Sequence, residues 1–224
     1  MHPMISAADE ERLLKGTTTL GLVCKDGVVL ATERRATAGS FIANKQTQKL
    51  FKIDENIGLT TSGYVGDVQV LARYLKAEVS LYRLRRSAQL TVEGAATLLA
   101  NILSGNRYYP YWAWMLLGGV DAKGGHLFSI DAGGGCIEDK YASVGSGQMM
   151  VYGLLEEAYS REMSTADGID VALRGLTVAM KRDSASGDGY VVHVISAKEY
   201  RELSEDEINK RLKVLKIPLP PPLP

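Results

Sequence analysis

Three consecutive threonines, Thr17, Thr18 and Thr19, follow Gly16 at a point where the chain changes character. A hydroxyl is a useful nucleophile only with a base close by. Threonines at the head of a strand are common, so the run says little by itself. Other residues able to do chemistry recur further on. Glu33-Arg34-Arg35-Ala36-Thr37 puts a carboxylate and two guanidinium groups at the end of a β-rich stretch. Lys49 stands beside apolar Leu50. Thr60 to Asp67, Gly145-Ser146-Gly147 and Arg182 to Gly189 are junctions rich in glycine, hydroxyls and carboxylates.

Other chemistries fail their sequence tests. Gly119 to Gly124 has phosphate-loop spacing, but Gly125 stands where the lysine belongs, and Gly145-Ser146-Gly147 lacks the third glycine of a dinucleotide fingerprint. Cys24 and Cys136 show neither metal spacing nor a disulfide framework and read as reduced thiols. His2, His126 and His193 are scattered, which argues against a histidine-based metal site or triad. Lys+Arg and Asp+Glu both number 26, so no global charge draws the chain to nucleic acid or an anionic membrane. Asp9, Glu10 and Glu11 occupy the place where a secretory signal needs an apolar core. The longest uncharged stretches are too short and polar to span a bilayer. A soluble, cytoplasmic protein is the expectation.

The elements that must position these residues follow from periodicity. Thr17–Cys24 and Val28–Glu33 read as strands around the hairpin turn Lys25-Asp26-Gly27. Further strands are expected at Phe41–Ala43, Gln48–Ile53 and Ile57–Ser62. Val68, Leu71, Leu75, Val79 and Tyr82 recur at helical spacing within Asp67–Arg86, and Thr91 is a good N-cap for a second helix. Ala113–Val120 and His126–Ile130 form another hairpin, followed by a strand near Cys136–Ser143. Helices over Gln148–Ser160 and from Thr165 precede a strand at Tyr190–Ala197. Ser204 to Glu207 fits a capping box, and the tail Ile217–Pro224 reads as extended and polyproline-like. With 224 residues there is room for one large domain. Strands grouped in hairpins and helices in pairs argue against βαβ units. They fit an α+β, four-layer αββα sandwich: two antiparallel sheets flanked by helix pairs.

In their order and spacing, the segments around Thr17, Glu33, Lys49, Thr60–Asp67, Gly145–Gly147 and Arg182–Gly189 resemble proteasome β subunits of the archaeal type, which are N-terminal-nucleophile hydrolases. The resemblance covers about residue 17 to about residue 200. It implies a leader, 1–16, removed by self-cleavage between Gly16 and Thr17, a catalytic domain, 17–203, and a short helix with a Pro-rich tail, 204–224. By the same resemblance Thr17 is the nucleophile of a threonine endopeptidase. Its freed α-amino group, with an ordinary pKa of about 7.7–8.0, would be the base. That base is absent while Gly16 is attached, and Gly16 suits a tight junction because it lacks a Cβ.

The carried-over roles extend to Lys49 beside Thr17, Glu33 paired with Lys49, the Gly63 N–H as oxyanion donor, and Ser146, Asp183 and Ser186 as a polar network around the amine. Substrate-pocket candidates are Ala36, Thr37, Thr47, Phe51, Thr61 and Val65, a mixture of small and apolar types. The chain departs from the usual family pattern at Glu33, where aspartate is the norm. Glu33→Asp is therefore expected to leave activity similar or higher. The implied partners are other β subunits in seven-membered rings, capping rings of α subunits, an ATPase regulatory particle and unfolded polypeptide substrates, with no nucleic acid and no membrane, and the resemblance implies no cofactor. Two alternatives follow from the same residues. One is a proteolytically silent or slow β subunit with a structural role in a mixed ring, favoured only by Glu33. The other is a shorter bacterial-type peptidase of the same superfamily, for which the chain is too long.

Overall fold

The computed structural model describes residues 16–220. The expected leader, apart from Gly16, and the last four residues of the Pro-rich tail lie outside that range. One sheet contains β1 (Thr18–Cys24), β2 (Gly27–Glu33), β10 (Tyr141–Gly145), β11 (Tyr190–Ile195) and β12 (Tyr200–Glu202), in the order β10-β1-β2-β11-β12. The other contains β5 (Leu50–Asp54), β6 (Ile57–Gly63), β7 (Ala113–Asp121), β8 (Gly124–Ile130) and β9 (Cys136–Glu138) in sequential order. All pairings in both are antiparallel. A small ribbon, β3 (Ala36–Ala38) with β4 (Phe41–Asn44), stands apart.

The helices are α1 (Val65–Arg86), α2 (Val92–Gly105), α3 (Gln148–Ala158), α4 (Thr165–Arg182) and α5 (Glu205–Val214). Three apolar clusters separate the layers. Leu20, Leu22, Val29 and Ala31 of the first sheet pack against Val151, Leu155, Ile169, Leu173 and Leu176 of α3 and α4. Leu59, Met115 and Leu117 of the second sheet pack against Leu71, Leu75, Leu99 and Leu103 of α1 and α2. Between the sheets lie Val23, Val28, Leu30, Leu50, Leu116, Leu127 and Val144. Successive residues of β1, β2 and β7 therefore alternate between two buried faces. This is why β1 and β2 are buried at every position and read as apolar runs rather than strict alternation. The αββα sandwich expected from the element order is the observed architecture.

Local chemistry sets the helix ends. Thr91 Oγ1 accepts from Gly94 N at 3.1 Å to start α2. Ser204 accepts from Glu207 N at 3.3 Å, and the Glu207 carboxylate returns to Ser204 N at 3.0 Å, so the anticipated capping box is formed. One expectation is corrected. The strand placed near Cys136–Ser143 is two strands in different sheets. Asp139 N still donates to Leu127 O at 3.0 Å on the second sheet, while Lys140 O already accepts from Val23 N at 2.8 Å on the first. The chain changes sheet within one residue, with no glycine or proline to mark it. The strand expected over Tyr190–Ala197 ends at Ile195, and β3 and β12, three residues each, carry too little pattern to be read from the sequence.

Candidate active site

Thr17 stands at the head of β1 and is 3 % exposed. Its Oγ1 donates to the carbonyl oxygen of Gly16 at 2.7 Å. The same oxygen accepts from Lys49 Nζ at 3.1 Å. The Gly16 carbonyl oxygen is thus met by a hydroxyl and an ammonium together.

Lys49 precedes β5, and β6 holds its backbone: Thr61 N and Thr61 Oγ1 both donate to Lys49 O, at 2.9 and 3.2 Å. Its ammonium pairs with Glu33 Oε1 at the end of β2, and both side chains are buried. Glu33 is fully occupied. Oε1 also accepts from Thr18 N at 3.2 Å, and Oε2 accepts from Arg35 N at 2.6 Å and Gly187 N at 3.1 Å. Burial pushes the Glu33 carboxyl upward and the Lys49 ammonium downward, and the attraction between the two opposes both shifts. The backbone N–H groups favour the ionised carboxylate further.

A second network lies on the other side of Thr17. Asp183 Oδ2 accepts from Ser146 Oγ and from Ser186 Oγ, both at 2.6 Å. Ser146 Oγ reaches Thr17 O at 3.4 Å, and Ser186 Oγ shares a hydrogen bond with Thr18 Oγ1 at 2.7 Å. Asp183 ends α4, so its carboxylate is presented from a helix terminus rather than a floppy loop.

Gly63 closes β6 at φ +131°, a conformation that side chains resist. A Cβ there would also run into the carbonyl of Trp112. Gly63 lines a narrow pocket together with Gly16, Thr17, Ala36, Thr37, Thr47, Gln48, Lys49, Thr61, Val65 and Val68. Five of the six expected pocket residues are in this lining. The sixth, Phe51, lies elsewhere: Leu50 points between the sheets, and Phe51 turns the other way into a cleft with Gln69, Ala72 and Arg73 of α1.

Several contributors escape a reading by residue type. Arg35 and Gly187 act through backbone N–H groups, which no side chain advertises. The Arg35 guanidinium is itself tied to Asp188 at 2.7 Å and to Ser184 O at 2.8 Å, which braces the 183–188 turn against β2. Thr18 was visible only as part of the threonine run. Among the described residues no helix is long and apolar enough to cross a membrane.

The chain is similar to known proteins over most of its length. A family model for proteasome subunits matches residues 13–195. The proteasome subunit beta of Methanothermobacter thermautotrophicus is 50% identical over 208 residues, covering 92% of this chain and 99% of the relative. Those of Methanococcoides burtonii and Ferroglobus placidus are each 49% identical with the same coverage of both chains. Over the stretch that carries the Thr17, Glu33 and Lys49 cluster, the chain belongs to the proteasome subunit family, as a β subunit of the archaeal type.

Proposed function

We propose that this β subunit is a threonine endopeptidase made as a precursor, which activates itself by cleaving between Gly16 and Thr17. The observation that carries the proposal is the Gly16 carbonyl, held by Thr17 Oγ1 and Lys49 Nζ together. Attack of Oγ on the Gly16 carbonyl carbon closes a five-membered ring through the Thr17 backbone. The hydroxyl proton leaves and the amide nitrogen gains one. The C–N bond breaks, giving an ester on Oγ and a free α-amine. Water then cleaves the ester, releasing the leader as a carboxylic acid and restoring the hydroxyl. Lys49 supports this step by drawing electron density from the carbonyl.

The same groups serve a peptide substrate. The free α-amine takes the Oγ proton as Oγ attacks the substrate carbonyl, the leaving amine is protonated, and water hydrolyses the acyl-enzyme. The Gly63 N–H is the proposed donor to the oxyanion. Ser146, Asp183 and Ser186 would orient the amine, and Ala36, Thr37, Thr47, Thr61 and Val65 would receive the substrate side chain. The ion pair between Glu33 and Lys49 supports the active reading over that of a silent subunit. The family supports assembly into β rings of seven capped by α subunits, in the cytoplasm, with an ATPase partner feeding unfolded polypeptides.

The test is intact-mass analysis before and after mixing with α subunits. Loss of residues 1–16 and reaction of the new N-terminus with a threonine-directed electrophile are expected for the wild type. Thr17→Ala should keep its leader. A leader that persists on the wild-type chain in assembled particles would overturn the reading.

A further inference from the structure

The site contains one polar atom without a task. Thr37 Oγ1, at the edge of the pocket, is buried and has no hydrogen-bond partner among the described residues. A buried hydroxyl left unsatisfied is costly, so its position calls for a reason. It lies against Gly16. A Cβ built on Gly16 would collide with this oxygen, closer than any real Cβ contact, and would also touch Ala185 O at 3.4 Å. Gly16 itself adopts φ +76°, which glycine tolerates and other residues resist.

Resting on the self-cleavage reading above, we propose that the Thr37 side chain is a positioning residue that selects glycine at the junction. Its hydroxyl fills the volume that any side chain at 16 would need. A residue with a Cβ must move away, and its carbonyl leaves the position where Thr17 Oγ1 and Lys49 Nζ meet it. Because misplacement by about 1 Å can cost about a hundredfold in rate, the shift is enough to block the cut without unfolding the chain. The two obstacles to a side chain are separable. The positive φ belongs to Gly16, whereas the steric stop belongs to Thr37.

A double-mutant cycle on the full-length precursor separates them. Leader loss is timed by intact mass for wild type, Gly16→Ala, Thr37→Ala and the double variant. Gly16→Ala should slow processing at least tenfold more in the Thr37 background than in the Thr37→Ala background. Thr37→Val keeps the bulk without the hydroxyl, so Gly16→Ala should remain as slow beside it as beside threonine. An equal penalty in both the Thr37 and Thr37→Ala backgrounds would overturn the proposal and leave backbone strain as the whole cause. Rescue by Thr37→Val as well would also overturn the steric account. Failure of the wild type to lose its leader would refute the self-cleavage reading itself, and this inference with it.

Discussion

Glu33 is one methylene longer than the aspartate usual in the family, and the extra length is used. Its two oxygens meet Lys49 and three backbone N–H groups drawn from β1, the link between β2 and β3, and the 183–188 turn. A carboxylate about 1.5 Å shorter cannot keep all four. Glu33→Asp is therefore expected to slow leader removal by about tenfold to a hundredfold, which reverses the expectation drawn from the sequence. Timed mass spectrometry checks it, and an unchanged rate would show the contacts to be incidental. Glu33→Ala strands a buried cation and should lower stability by about 3–5 kcal/mol. Adding Lys49→Met should recover part of that loss in urea titrations. Cys24 offers a pH test. Burial pushes its thiol from 9.0 up to about 12. The folded state thus favours the neutral thiol, and the stability this gives is complete below about pH 9 and is lost as pH rises toward about 12. Cys24→Ala should flatten the alkaline limb of the stability curve. In the native chain Ellman's reagent should find Cys136 quickly and Cys24 only after unfolding.

At the scale of elements, the layer between the sheets carries the site. Thr17 and Glu33 come from the first sheet, while Lys49 is held by β6 of the second. The sheets are joined beneath them by apolar packing and by the hydroxyl pair of Thr19 and Thr60. Leu30 is fully buried in that layer, so Leu30→Ala should cost about 2–5 kcal/mol. It should also slow leader removal under conditions where the chain remains folded, because the two sheets reposition across the cavity. Stability lost with no change in processing rate would show that the site does not depend on the inter-sheet spacing. Close approach has a sequence cause: a Cβ at Gly21 would press on the Leu127 side chain across the gap.

For the whole molecule, a site spread over both sheets implies cooperative loss. Trp112 and Trp114 sit together with ring centroids 6.3 Å apart, at and just before β7 of the second sheet. Far-UV circular dichroism reports all the helices. In denaturant titrations of Thr17→Ala, which holds the precursor state constant, tryptophan fluorescence and circular dichroism should give one midpoint. Two midpoints would mean that the sheets unfold separately and that the apolar layer between them is weaker than its burial suggests.

The sequence by itself determined the kinds and order of the elements, the hairpin turns, the helix caps and the break at Gly16. These are local properties, written in periodicity, turn chemistry and cap residues. It also pointed to most of the residues now found around Thr17, through the resemblance rather than through spacing. Only the tertiary structure decided which groups meet. Glu33 and Lys49 are 16 residues apart, and Lys49 and Gly16 are 33 apart. Their contact depends on strand register and on the packing of one sheet over the other, and neither leaves a local mark. The same physics hid the change of sheet between Asp139 and Lys140 and sent Phe51 away from the pocket. A single-residue step reverses the face a side chain takes, and only pairing with a neighbouring strand settles which face that is.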